Sequence, residues 1–176
     1  MMPRVTLHMP GVREMDYRQK LLAQPETMSY NAGLDLEAEG YDPATGCIDF
    51  PMSDWRYWRD VWLWREPDRF SAYIRDEDTG AFVGEACYYY DMESDAHGVG
   101  VIIEHTYRGR GYGTAALRLL VAQASRHPEV TTLFVDLPAD RESAVRMYLT
   151  AGFREVRAEN GVLRLAREAL AAETDR

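Results

Sequence analysis

Between residues 99 and 124 an apolar run, VGVIIEH, passes through TY and RGRGYG into TAALRLLVAQA. Nothing else in the chain limits its fold as much. The first part has the composition of a strand, and in the last part Leu117, Leu120, Val121 and Ala124 recur at i, i+3, i+4 and i+7, one face of a helix ending near Pro128. Glycines that lead from a strand into a helix leave several backbone N–H groups without intrahelical partners, at the positive end of the helix dipole. That is a site for an anion. Gly109, Gly111 and Gly113 permit positive φ and have no Cβ to hold a phosphate away, and Arg108 and Arg110 add countercharge. A P-loop is excluded because GxxxxGK[ST] is missing. A dinucleotide fingerprint is the rival, since Gly111, Gly113 and Ala116 form GxGxxA and Asp136 ends the next strand. Against it, Glu104 to Arg108 separate strand from glycines, and only about forty residues remain for further βα units.

The rest of the chain supplies the surrounding elements. VTLHM (5–9) reads as a first strand ended by Pro10 and Gly11, followed by a charged helix over Val12 to Gln24 closed by Pro25. Residues 26–50 lack periodicity and read as a loop. Ser53 to Glu66 reads as a helix with Trp55, Trp58 and Trp62 on one face, a stripe that suits core packing, with a pocket lining as the alternative; Trp64 is the fourth tryptophan. FSAYIRDE and AFVGEACYYYD form a hairpin about Asp78, Thr79 and Gly80, and VTTLFVDL is a further strand. A helix from Arg141 to Ala151 stops at Gly152, and a hairpin turning at Asn160 and Gly161 closes the chain. The tally is an α/β fold, a mixed sheet with interspersed helices.

Composition sets the boundaries. With 176 residues, 46% of them apolar, a single domain spanning 1–176 is expected. A net charge of −9 disfavours nucleic acid, which needs a basic face. Cys47 and Cys87 belong to no metal-ligand spacing and no disulfide framework, which fits a reducing, cytoplasmic setting and predicts no metal. No run of about 18 apolar residues exists to span a membrane, and the N-terminal residues do not look like a signal peptide.

RGRGYG has the form R-x-x-G-x-G through Arg108, Gly111 and Gly113, and downstream Ala144, Tyr148, Gly152 and Phe153 form A-x-x-x-Y followed four residues later by Gly-Phe. Together these motifs resemble the signatures of the GNAT superfamily of N-acetyltransferases, specifically across residues 99–153 and by element order from about residue 68. The resemblance implies a mostly antiparallel central sheet with helices on both faces and parallel strands splayed at a cofactor cleft. It implies acetyl-CoA as acyl donor, with Val101, Ile102 and Ile103 pairing with the pantetheine arm. Arg108, Gly109, Arg110, Gly111, Tyr112, Gly113 and Thr114 would hold the pyrophosphate. Tyr148 matches the tyrosine that donates a proton to the thiolate, a role suited to a phenol whose ordinary pKa of about 10 exceeds the thiol's 8.5. Packing on the sheet is the competing role for that side chain.

The general base is left between Asp136, where related enzymes carry a glutamate acting through water, and Glu104, with His105 third. Arg141 stands where the family often has a cofactor-contacting Asn, and an arginine there suits a CoA phosphate. The implied function is direct transfer of acetyl to a primary amine, the alternative being a catalytically silent acyl-CoA-binding module. A nucleotide-dependent oxidoreductase is the third and remotest reading. Residues 12–66 would form the acceptor side and 68–166 the cofactor core. The acceptor is a small amine or a peptide N-terminus; Glu85, Asp91, Glu93 and Asp95 favour a cationic one. No nucleic acid or membrane partner is expected, and a homodimer is compatible.

Overall fold

The alternating runs become strands of one sheet, and the breaks between them become the helices that cover it. In the computed structural model, which describes residues 1–169, the strands are β1 (Val5–His8), β2 (Arg69–Asp76), β3 (Phe82–Asp91), β4 (Ala96–Ile103), β5 (Thr132–Pro138), β6 (Arg154–Glu159) and β7 (Val162–Glu168). The helices are α1 (Met15–Leu22), α2 (Pro25–Met28), α3 (Trp55–Trp62), α4 (Tyr112–Ala124) and α5 (Glu142–Thr150). The sheet order is β1-β2-β3-β4-β5-β7-β6, antiparallel except where β4 meets β5. No described helix is long and apolar enough to cross a membrane.

Alternation along β3 and β4 divides the interior in two. Ala86, Tyr88, Val99 and Val101 point to the side of α4, whose Ala116, Leu117, Leu120 and Ala124 fill the main core with Tyr148 and Phe153. Ile102 points to the other face and packs with Met15, Leu22, Met28, Phe50, Trp55 and Leu63 from α1 to α3 and their connections. The sheet is therefore covered on both faces.

The first third departs from the sequence expectation. The expected helix over 12–24 is a 3-10 turn at Val12–Glu14 followed by the shorter α1, and Pro25 opens α2 instead of closing a helix, because proline fits the first helical position, where no N–H bond is required. The expected loop thus begins with α2 and a 3-10 turn over Ser29–Asn31. The tryptophan helix is shorter than expected. Trp55 is buried at 8% exposure, Trp58 and Trp62 pack at the edge of the second core, and Trp64, at φ 61°, lies beyond the helix and is 81% exposed. The closing hairpin turns at Asn160 and Gly161, both at positive φ.

Candidate active site

The parallel pair that interrupts the antiparallel sheet is short. β4 and β5 meet only at His97↔Leu133 and Gly98↔Phe134, after which β5 continues against β7 alone. Beyond Gly98, one edge of β4 is bare. The Glu104 amide donates to the Val83 carbonyl, so by the antiparallel alternation Ile102 and Gly100 turn their main chain to β3, and Val99, Val101 and Ile103 turn theirs to the split. Gly84 makes room for this pairing, since a Cβ there would stand 2.0 Å from the Ile102 carbonyl oxygen. The Ile103 carbonyl is taken by Arg108 Nε at 3.0 Å. What faces the split is the N–H and C=O of Val101 and the N–H of Ile103.

At the end of β4 a 3-10 turn over His105–Tyr107 leads into the glycine loop. Gly109 lies at φ 74° and Gly111, which caps α4, at φ 87°, both in the region that glycine tolerates. The first amide of α4 to find an acceptor is that of Ala115, on the Gly111 carbonyl at 3.0 Å. Among the described residues, none of the amides of 109 to 114 has one. The loop owes its position to side chains. Tyr112 is buried and donates its hydroxyl to Asp76 at 2.6 Å, and Gly113 allows α4 and α5 to close up, a Cβ there falling 2.5 Å from Met147 Sδ.

The two arginines of the loop differ. Arg108 anchors it: beyond the Ile103 carbonyl, its Nη2 donates to the Thr27 carbonyl at 2.6 Å and its Nη1 to that of Glu26 at 3.4 Å. Arg110 is exposed, with its guanidinium 5.8 Å from the Tyr107 ring. Thr114 is half-buried in the first turn of α4.

Tyr148 projects from α5 into the main core. It is 4% exposed, its ring meets Phe153 edge-on at 5.3 Å, and its hydroxyl has no partner among the described residues. Burial drives its pKa well above the ordinary phenol value, Cys87, Tyr30 and Tyr89 adding to the rise while Arg141 opposes it. The phenol therefore stays protonated. Arg141 lies over the Tyr30 ring at 4.6 Å.

The base candidates are separated by the structure. Glu104 shares the α1 face of the sheet and accepts from Tyr17 Oη at 3.3 Å and Gln24 Nε2 at 3.1 Å. Asp136 is held by Arg164 in a two-pronged pair, Nε at 2.8 Å and Nη2 at 2.5 Å, directly across the β5–β7 ladder. His105 is exposed, its backbone amide on Thr27 Oγ1 at 3.0 Å. Sequence reasoning gave no role to Arg18, Tyr17, Gln24 or Tyr30, and read Glu85 only as part of a general acidic field. The period-2 alternation of GEACYYY was the available signal for Glu85, because it puts that carboxylate on one face with Cys87 and Tyr89.

The same architecture occurs in solved acetyltransferases. Spermidine N-acetyltransferase from Vibrio cholerae, in complex with CoA and spermine, superposes with a TM-score of 0.70 at 13% identity, over 94% of this chain and 95% of that one. Aminoglycoside acetyltransferase AAC(6')-Ib, in complex with ribostamycin and coenzyme A, gives 0.70 at 17% identity, over 97% and 98%. A GNAT-family acetyltransferase from Bacillus anthracis gives 0.69 at 9% identity, over 96% and 97%. At such identities the likeness is one of fold. No curated protein is recognisably similar in sequence. A sequence model of the acetyltransferase (GNAT) family matches residues 36–153, more than half of the chain, and takes in the split strand, the glycine loop and the Tyr148 motif. The chain belongs to the acetyltransferase (GNAT) family.

Proposed function

We propose that the chain moves an acetyl group from acetyl-CoA to a primary amine by direct transfer. The observation that carries this reading is the run of amides from 109 to 114 without acceptors, opening beside the bare edge of β4. A diphosphate fits such a cradle, because oriented N–H groups at a helix N-terminus bind anions with little rearrangement. Val101 offers a donor and an acceptor to the amides of a pantetheine arm, and the Ile103 N–H points where a thioester oxygen gathers charge. Similar structures support this cofactor, having been solved with CoA or acetyl-CoA.

Acetyl-CoA supplies an acyl group already activated as a thioester. The residues of this chain then orient and exchange protons. The Ile103 N–H stabilises the developing oxyanion, the Tyr148 hydroxyl directs its proton to the departing sulfur, and Glu104 receives the amine proton through water. Asp136 is left as a structural partner of Arg164. We also assign the chain to a reducing, cytoplasmic compartment, where the free thiols of Cys47 and Cys87 persist.

Calorimetry with acetyl-CoA, followed by thiol release across a panel of amines, tests the proposal. Expected are saturable binding and release that depends on the amine. Binding without release from any amine identifies the silent module instead. No binding at millimolar acetyl-CoA sinks both.

A further inference from the structure

On the α1 face of the sheet, Glu85 and Arg18 form an ion pair that satisfies neither partner. Glu85 stands on β3 opposite Ile102 and is 8% exposed; the Arg18 side chain, from α1, is 16% exposed. Arg18 Nε lies 3.2 Å from Glu85 Oε2, but at an angle that makes no hydrogen bond, and both atoms are sealed from solvent without a partner. The outer atoms of the pair differ in one respect. Arg18 Nη1 and Nη2 and Glu85 Oε1 also lack hydrogen bonds among the described residues, yet they retain contact with solvent. The guanidinium carbon lies over two rings, 4.7 Å from the centre of Phe50 and 4.5 Å from that of Trp58, which stand at 74° to each other. Aromatic rings thus back the group while its two Nη atoms stay open for a ligand.

Burying two charges is costly, and leaving their donors and acceptors idle adds to the cost. Such a pair is arranged for a ligand that completes it. We propose, building on the transferase reading, that the acceptor is a zwitterion of amino-acid type, its carboxylate on the Arg18 fork and its amine nitrogen hydrogen-bonded to Glu85 Oε1. A guanidinium fork matches a planar carboxylate, and a carboxylate oxygen matches an ammonium or amine N–H.

The idle Arg18 fork decides between this acceptor and a polycation. Arg18 offsets Glu85, and Arg141 lies on the Tyr30 ring. The other titratable groups within reach of Glu85 are Tyr17, Tyr30, Tyr73 and Cys87, all held above their ordinary pKa mainly by burial and hence neutral. A zwitterion supplies a carboxylate for the Arg18 fork, whereas a polyamine brings ammonium groups alone and leaves that fork without an acceptor. The location is also right. Glu85 stands directly across the ladder from Ile102, the residue before Ile103, whose N–H faces the split.

The test uses the full chain with saturating acetyl-CoA and, as probes, the twenty standard L-amino acids, the decarboxylated amine of each one accepted, spermidine and kanamycin. Expected is at least one amino acid whose kcat/KM exceeds that of its decarboxylated amine, spermidine and kanamycin by about tenfold or more. Arg18→Met should lower that kcat/KM about 100-fold, mostly through KM, collapse the preference over the decarboxylated amine, and leave acetyl-CoA affinity within about twofold. Arg18→Lys should restore part of it, and carries the test if the Met variant does not fold. Tryptophan fluorescence gives a readout independent of turnover: in CoA-loaded protein the same amino acids should perturb Trp58, and Arg18→Met should abolish the change. Spermidine or kanamycin outperforming every amino acid, a preference untouched by Arg18→Met, or no fluorescence response to any amino acid overturns the inference. Failure of acetyl-CoA to bind overturns the transferase reading instead, so the two failures are distinct.

Discussion

The two sides of the β4–β5 split expose different kinds of group. The side of the glycine loop offers main-chain atoms: amides from 109 to 114, the edge of Val101, the N–H of Ile103. The side of α1 to α3 offers side chains: the Arg18–Glu85 pair, Glu104 with Tyr17 and Gln24, and the rings of Phe50, Trp58 and Tyr30. Main-chain recognition depends on glycine, strand and helix following one another in a fixed order, so it is written locally. The side-chain groups are assembled from residues up to 87 positions apart, as Tyr17 and Glu104 are. A cofactor common to a family suits the first mode, and an acceptor particular to one enzyme suits the second.

The most severe way to break this contrast is to spoil the loop without touching a side chain. Gly111 lies at φ 87°, with Pro3 Cδ 3.1 Å from where a Cβ would be, so Gly111→Val forces the loop off its path. Acetyl-CoA affinity should fall by about 100-fold or more in calorimetry, while the cost in stability stays near the 1–3 kcal/mol of a strained backbone position. Retained affinity would show that the loop does not hold the cofactor.

Tyr148→Phe comes next and sharpens the division between binding and chemistry. Removing a proton donor should cost about 30-fold in kcat, with acetyl-CoA affinity changed by less than about twofold. Stopped-flow thiol release beside calorimetry measures both. On the opposite face, Glu104→Gln should lower kcat by about tenfold or more, whereas Asp136→Asn should change it by less than about twofold, because the Asp136 carboxylate already belongs to Arg164. Equal losses from the two would undo the assignment of the base.

The smallest effect concerns how the loop is held. The Tyr112 hydroxyl, with the backbone N–H of Asp78, keeps the Asp76 carboxyl below its ordinary value. A depressed carboxyl stabilises the fold fully above its unfolded pKa of about 4, and the contribution disappears as the pH falls through the lower folded value. Tyr112→Phe should weaken acetyl-CoA binding by about threefold near neutral pH. In urea melts, the gap in stability between the variant and the parent protein should narrow as the pH is lowered below about 4. A gap that widens on acidification would mean that the pair is not the source of the stabilisation.

Much of the cofactor half was legible because its signals are short-range. Arg108, Gly111 and Gly113 mark the turn, Leu117 to Ala124 mark the helical face, and the alternation of FSAYIRDE and AFVGEACYYYD marks the hairpin, whose strands lie within two residues of the expected bounds. The acceptor half was legible only in outline. Pro25 looks like a helix stop in sequence and is a helix start in space, and the tryptophan stripe predicts burial for Trp55, yet nothing local says that Trp58 will carry the Arg18 guanidinium. Asp136 occupied the right strand for a base, but whether a carboxylate is free depends on the residue across the ladder, here Arg164.

What the sequence alone determined is the order of elements and the place where a main chain must stay open, since periodicity and glycine spacing act over a few residues and need no distant partner. Which charged groups are paired, and which are left with idle donors, was decided only when strands and helices packed. A carboxylate such as Glu85 acquires its meaning from a guanidinium brought by another helix, and the energy of that meeting depends on burial and angle that no linear pattern records.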